Sequence, residues 1–300
     1  MALALVLREL SKHGGFSLEG LAHFNHRLRP TAERDEAFCR GLADALRLPF
    51  HRDEADVASV ANERRLSVES TARLLRYEFL TRTAARTGAT RIAVGHTQDD
   101  QAETFLLKAG RGAGLSGLAG VYPCRDGVVR PLLEVPRSLL REYLVSQGQA
   151  WVEDETNADL ANPRNAVRHR VLPELERAIG GTVAGSLARA AGLAREDGRY
   201  LDALAASRFE ALVQRRPLEP GGVRLELPAA ALQAEPLPMR RRVVRMAMLE
   251  SSRNREIGAD HVECVLELLA GSASAADIPG SRVELRDGML VLYDQRVSPK

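Results

Sequence analysis

The chain has 300 residues, 45% of them hydrophobic and 27% charged, with a formal net charge of +2. That size allows one large domain or two, and the balance excludes a long disordered tail and a polyanionic or strongly basic protein. No apolar run approaches the roughly 20 residues needed to span a bilayer. Cys39, Cys124 and Cys264 lie too far apart for a disulfide scaffold or a zinc ribbon, which fits a reducing cytosol.

The chain opens on MALALVLREL, where Leu3, Val6, Leu7 and Leu10 recur at helical spacing. It has no basic n-region or cleavage site, so it reads as an amphipathic helix and not as a signal peptide. A helix with an apolar stripe and no strand before it leads to the expectation that the chain is an N-terminally shortened form. Leu18–Phe24 predicts a buried strand. Glu33–Arg47 predicts a helix with Thr31 at its cap and acids in its first turn. Leu48–Arg52 predicts a short strand. Ser67 caps a helix over Val68–Arg86 closed by Gly88. Arg91–Gly95 is a strand, Asp99–Lys108 a helix, Gly110–Gly120 a glycine-rich stretch and Val128–Leu133 a strand. Pro136 opens a helix to Gln147.

Strand and helix in alternation predict an α/β fold, a parallel sheet with helices on both faces. The texture changes near Leu172. Thr182–Val213 reads as one or two long helices and Pro217–Gly222 as a linker or turn. Val223–Leu227, Pro236–Ser251, Ala259–Leu269 and a strand pair around Asp287-Gly288 form a smaller, mostly helical second unit. The predicted domains are 1–182 and 183–300.

Five constellations carry chemistry. The first runs from His96 to Thr104. Asp100 and Glu103 stand at i and i+3 on one helix face, just past a strand, where open parallel sheets bind ligands. Two such carboxylates suit a hard cation such as Mg²⁺; the competing role is capping of the helix start. The second is Glu69, Arg73 and Arg76, one stripe beside the apolar Val68, Ala72, Leu75 and Phe79. Physics alone reads it as a surface ion pair. The third, Gly112-Ala113-Gly114-Leu115-Ser116-Gly117, matches GxGxxG but follows a helix, so the dinucleotide reading fails its context and a flexible loop near the ligand remains. In the fourth, Asn162–His169, preceded by Glu153-Asp154-Glu155, a polar clamp and a plain helix start stand even. The fifth is Arg240, Arg241, Arg242 and Arg245, either a phosphate track or a solvated basic face.

The sequence resembles the bacterial tRNA(Ile)-lysidine synthetases of the N-type ATP pyrophosphatase superfamily. The residues that carry the likeness are Ala22-His23-Phe24-Asn25-His26-Arg27-Leu28-Arg29, Glu69 to Tyr77, His96 to Thr104 continuing through Arg111–Leu115, Pro131-Leu132-Leu133 and Arg164 to Pro173. The resemblance implies an adenine nucleotide alpha hydrolase-like (Rossmann-like) catalytic domain and a C-terminal tRNA-recognition domain. It implies a ligase that uses ATP to adenylate the wobble cytidine of a CAU-anticodon tRNA(Ile). Lysine then replaces AMP and decoding changes from AUG to AUA. Its implied cofactors are ATP and Mg²⁺, its partners tRNA(Ile) and L-lysine, its place the cytoplasm, and a homodimer is allowed.

Carried over residue by residue, Asp100 and Glu103 hold Mg²⁺ or the lysine ammonium, and His96 orders them. Arg76, Arg73 and Arg168 contact ATP phosphate, the adenylate or tRNA. Glu69, Asn165, His169, Arg240, Arg241 and Arg245 serve substrate or tRNA binding, and Gly112 and Gly114 lie near ATP. The family signature Ser-Gly-Gly-x-Asp-Ser does not occur in the sequence, and with it goes the expected backbone cradle for phosphates. Two alternatives follow: a truncated, inactive tRNA-binding paralogue, and a tRNA thiolation enzyme, whose usual CxxC cysteines this chain lacks.

Overall fold

The computed structural model describes residues 1–28, 31–152, 159–218, 222–252, 255 and 257–294. Arg29 and the Glu153-Asp154-Glu155 run lie outside the described residues. The chain divides into two compact units, Met1–Arg195 and Glu196–Lys300, whose boundary falls inside a long helix and not at its start.

In the first unit, α1 (Ala2–Ser11) is followed by β1 (Leu21–Asn25), α2 (Ala32–Leu46) and β2 (Phe50–Glu54). β1 and β2 pair in parallel, Leu21 opposite Phe50 and Asn25 opposite Glu54. The short helix α3 (Val57–Arg64), which the sequence pattern does not announce, starts where Asp56 accepts the Ser59 N–H at 3.1 Å. α4 (Val68–Thr87) keeps its predicted ends. Ser67 Oγ accepts the Ser70 N–H at 3.1 Å, and Gly88 closes the helix at φ +75°, the left-handed cap that glycine adopts without strain. Its face packs Ala72, Leu75 and Phe79 onto Phe24 and Val57. Val68, expected on that stripe, is exposed.

A second sheet pairs β3 (Ile92–Ala93) in parallel with β5 (Val128–Val129), and β4 (Cys124–Arg125) runs antiparallel along β5. Between them lie α5 (Gln98–Ala109) and the single-turn α6 (Leu115–Leu118), with α7 (Arg137–Ser146) beyond β5. The glycine-rich stretch is tied to α5 by the buried Gln101. Its amide donates to the Val121 carbonyl at 3.2 Å and its oxygen accepts the Val121 N–H at 2.7 Å. A Cβ at Gly120, which sits at φ +65°, would lie 2.6 Å from that amide oxygen, so a side chain there would both strain the backbone and displace Gln101.

α8 (Pro163–Ala166) continues through a π turn, Val167–Val171, into α9 (Leu172–Ile179). Pro173 has no N–H to donate to the turn before it, which is the condition under which a helical ladder loosens. Ala102, Val167, Leu172 and Val183 form the core between these helices, α5 and the start of α10 (Val183–Leu212).

The second unit combines helices with a sheet. It holds an antiparallel sheet in the order β6-β7-β10-β9-β8, built from β6 (Gln214–Leu218), β7 (Gly222–Pro228), β8 (Ala275–Ile278), β9 (Ser281–Arg286) and β10 (Met289–Asp294). Pro217, Leu218 and Gly222, expected in a linker, pair in this sheet, Pro217 with Val223 and Leu218 with Gly222. α11 (Ala229–Ala234), α12 (Leu237–Ser251) and α13 (Ala259–Leu269) join it. Leu225, Leu227, Val283, Leu290 and Leu292 form one core with Val243, Val244, Met248, Val265 and Leu268. The unit is thus mixed, a five-stranded sheet beside its helices. The hairpin at Asp287-Gly288 does form, with both residues at positive φ, 50° and 75°, as a type I′ turn demands.

Candidate active site

β3 ends three residues before His96, and Thr97 begins α5. The Asp100 carboxylate folds back on that start, its Oδ2 accepting both the Thr97 N–H and hydroxyl at 2.8 Å. Asp99 accepts the Arg137 backbone N–H at 2.8 Å, joining the start of α5 to the start of α7. One turn on, the Glu103 side chain is 0% exposed, and its charge is met by two arginines from the α8–π segment. Arg164 Nε donates to Oε2 at 2.8 Å and Arg168 Nε to Oε1 at 2.6 Å, while Arg168 Nη2 also reaches Oε2 at 3.1 Å. Arg137 stands 3.6 Å from the same carboxylate.

The Asp100 Oδ1 is held differently. Arg137 Nη2 donates to it in a long hydrogen bond of 3.4 Å, while Arg164 and Arg168 stand 3.6 Å away. Burial would push this carboxyl up, but the Thr97 hydrogen bonds and the arginine charges hold it below the ordinary carboxylate range. Burial would likewise lower Arg168, and the Glu103 hydrogen bonds raise it instead. Both groups therefore stay charged.

His96 is pushed down to about 4, first by burial and then by the charges of Arg130, Arg164 and Arg73, against the attraction of Asp100. A histidine depressed from 6.5 contributes stability that is complete above pH 6.5 and is lost as the pH falls toward 4. An NMR titration of the His96 ring is expected to show a midpoint near 4 and a neutral imidazole at pH 7. A midpoint near 6.5 would contradict the buried, cation-ringed environment.

The structure thus brings Asp100, Glu103, His96 and Arg168 together and adds Arg137, Arg164 and Arg130, which the sequence reading left without a role. A cue for Arg164 existed, since it stands four residues before Arg168. Arg137 and Arg130 join only through tertiary folding. Asn165 is buried and donates to the Asp159 carbonyl at 2.9 Å, which makes it a brace of its own segment. His169 and Glu69 are exposed, and among the described residues no ion pair joins Glu69 to Arg73. Arg73 and Arg76 flank the Tyr77 ring at 5.0 and 5.7 Å. Gly114 precedes α6, and a Cβ at Gly112 or Gly114 would meet open space.

A cleft of about 480 Å³ lies elsewhere, where β1 and β2 end; its lining includes Arg27, Arg40, Arg52, Glu36 and Glu54. Those charges pair among themselves, Arg27 with Glu54 and Arg52 with Glu36.

Two expectations need correction. Mg²⁺ does not fit on Asp100 and Glu103. Both Glu103 oxygens already accept arginine N–H groups and Asp100 Oδ2 is taken by Thr97, which leaves Asp100 Oδ1 alone, too few oxygen donors for a divalent cation. Among the described residues no group of three metal-ligating side chains occurs. Second, Arg240, Arg241 and Arg242 are not one phosphate track. Consecutive helix residues point about 100° apart, and each has found a different protein partner. Arg240 donates to the carbonyls of Leu232 and Glu235 at 3.0 Å, Arg241 meets Glu263 at 2.7 Å and Arg242 meets Asp202 at 2.9 Å.

Parallel strands with an arginine-braced acidic cluster at their carboxyl ends place the first unit among nucleotide-handling α/β proteins, and residues 1–175 match the PP-loop domain family of ATP-binding proteins. Residues 227–298 match the TilS substrate binding domain. The chain is 36% identical over 277 residues to the tRNA(Ile)-lysidine synthase of Geobacter sulfurreducens, covering 90% of this chain and 56% of that one. It is 39% identical over 245 residues to the enzyme of that name from Thermus thermophilus, covering 82% and 45%. With that of Chlorobaculum tepidum identity is 34% over 275 residues, covering 90% and 81%. The chain belongs to the tRNA(Ile)-lysidine synthase family. It spans about half the length of the Geobacter and Thermus relatives. In fold it is similar to the U34-tRNA thiolase NcsA of Methanococcus maripaludis, solved with its [4Fe-4S] cluster. The TM-score is 0.52 at 14% identity, over 65% of this chain and 67% of that one. Among the described residues no helix is long and apolar enough to cross a membrane.

Proposed function

We propose that the chain is a tRNA(Ile)-lysidine synthase acting in the cytoplasm on a CAU-anticodon tRNA(Ile), with ATP and L-lysine as co-substrates. The observation that carries this reading is the Asp100–Glu103 cluster at the end of β3, in a chain whose relatives bear that name along 90% of its length. In the reaction, the C2 oxygen of the wobble cytidine attacks the α-phosphate of ATP and pyrophosphate leaves. The lysine ε-amine then attacks C2, and the C2–O bond breaks with AMP as the leaving group.

The residues divide the work by how fully each is already engaged. Asp100 offers Oδ1, whose one hydrogen bond is a long one from Arg137 at 3.4 Å, to the lysine ammonium. Glu103 spends both oxygens on Arg164 and Arg168 and so positions these two guanidinium groups beside the reacting phosphate. Charge-assisted N–H groups there stabilise the oxyanions that develop as pyrophosphate and then AMP depart. Arg73 and Arg76, stacked about Tyr77, suit a phosphate lying next to a base. The second unit supplies tRNA contact, with Arg245 as the arginine of the run that is exposed and, among the described residues, forms no ion pair.

Two measurements test this. Incubated with ATP, L-lysine and the tRNA transcript, the protein is expected to release AMP only when all three are present. tRNA binding without AMP release would instead make it a tRNA-binding paralogue. For the basic run, Arg245→Gln is expected to lower the salt slope of tRNA binding by roughly 0.7–0.9. Arg241→Gln and Arg242→Gln should leave the slope unchanged, because their charges are spent on Glu263 and Asp202. An equal loss of slope in all three variants would return the run to a phosphate track.

A further inference from the structure

Two buried polar atoms beside the acid–arginine cluster are left without hydrogen-bond partners. Arg130 is 8% exposed although it carries a charge. Its Nη1 donates to the Tyr122 carbonyl at 2.7 Å, and its backbone N–H donates to Pro123 at 2.8 Å. Its Nε is buried with no hydrogen-bond partner, and among the described residues no carboxylate forms an ion pair with it. The His96 Nδ1 is also buried and unpartnered. An unsatisfied buried donor or acceptor typically costs about 1–3 kcal/mol, so two such atoms in one place need a reason.

The topology puts them side by side. β3 and β5 are parallel neighbours with Ala93 opposite Val129. Arg130 follows β5 directly and His96 follows β3 by three residues, so both stand at the carboxyl end of the same strand pair. The Arg130 charge is felt at the His96 ring. Nη1 is tied to Tyr122, while the guanidinium edge that carries Nε has no partner on that atom. That edge matches the two oxygens of a carboxylate or a phosphoryl group.

We infer that Arg130 Nε and the His96 imidazole form an oxyanion subsite, which binds either the carboxylate of the amino-acid substrate or a phosphoryl group of the nucleotide. The choice of these two sources rests on the lysidine synthase reading; the subsite itself rests on the unpartnered atoms. Neutral His96 supplies a hydrogen bond, Arg130 supplies the charge, and the Asp100 Oδ1 nearby meets the opposite charge of an amino acid.

The test reads binding alone, so it stands apart from turnover. The full chain, labelled with ¹⁵N-histidine, is titrated with L-lysine, with 1,5-diaminopentane (lysine without its carboxylate) and with inorganic pyrophosphate. The His96 ring resonance is followed, and exposed His169 serves as the internal control. L-lysine or pyrophosphate is expected to shift His96 with saturation through Arg130, while any response to 1,5-diaminopentane, which reaches only Asp100, is the same in the parent and in Arg130→Gln. A response to lysine alone assigns the carboxylate, and a response to pyrophosphate alone the phosphoryl group. Arg130→Gln should weaken the responding probe about tenfold, the equivalent of one charge-assisted hydrogen bond. Should Arg130→Gln not fold, Arg130→Lys keeps the charge, loses the fork, and is expected to show the same weakening. No saturable His96 shift with either anion would overturn the subsite, as would affinities within twofold of the parent in the folded variant.

Discussion

Glu103→Gln is expected to destabilise the first unit by about 3 kcal/mol, the penalty for removing one partner of a buried ion pair. The side chain is 0% exposed and accepts three N–H groups from Arg164 and Arg168. Without its charge two guanidinium groups face one another with only Asp100 nearby, and the α8–π segment loses its tie to α5. Arg164 keeps about a third of its side chain exposed, so solvent screens part of the repulsion and holds the loss to the lower end of the range for such pairs. Urea denaturation monitored by circular dichroism reads the change. A loss below about 1 kcal/mol would mean that Glu103 is not the hub that the hydrogen bonds describe.

Asp100→Asn should behave in the opposite way. Its Oδ2 sits at a helix start, where a carboxylate typically contributes only about 0.3–1 kcal/mol, and asparagine can still accept the Thr97 N–H. The lost charge is the one offered to the lysine ammonium, and a misplaced or unheld nucleophile costs roughly a hundredfold or more in rate. Lysine-dependent AMP release is therefore expected to fall at least about a hundredfold while the unfolding midpoint moves little. Near-parental turnover would remove Asp100 from the chemistry. A large loss of stability would show that its role is structural, like that of Glu103. Together the variants separate two carboxylates that lie one turn apart on one face.

That separation was not legible in the sequence. Asp100 and Glu103 look alike as i, i+3 acids after an apolar strand, and the pattern leads to a shared Mg²⁺ site. What distinguishes them arrives from residues 137, 164 and 168, brought in by α7, by α8 and by the π turn before Pro173. No local pattern encodes those meetings. The arginine run of α12 misled for a related reason. Adjacency in sequence spreads side chains around a helix, so the partners of Arg240, Arg241 and Arg242 depended on what lay on each side.

Elements with explicit punctuation were legible almost to the residue. Ser67 and Gly88 bracket α4, Pro136 immediately precedes α7, and Asp287-Gly288 turns the last hairpin. β6 and β8 were not. Gln214-Arg215-Arg216-Pro217 is polar and contains a proline, which strand composition disfavours except at a sheet edge, and β6 and β8 are the two edges of the second sheet. β3 was legible in place but not in length. Only Ile92–Ala93 pairs as a strand before the chain turns toward His96.

The most direct measurement is nucleoside mass spectrometry of a CAU-anticodon tRNA(Ile) transcript after incubation with this protein, ATP and L-lysine. The account predicts that the wobble cytidine gains the mass of one lysine less water, that omitting either ATP or lysine abolishes the gain, and that Asp100→Asn suppresses it. An unmodified cytidine in a transcript that the protein demonstrably binds would contradict it.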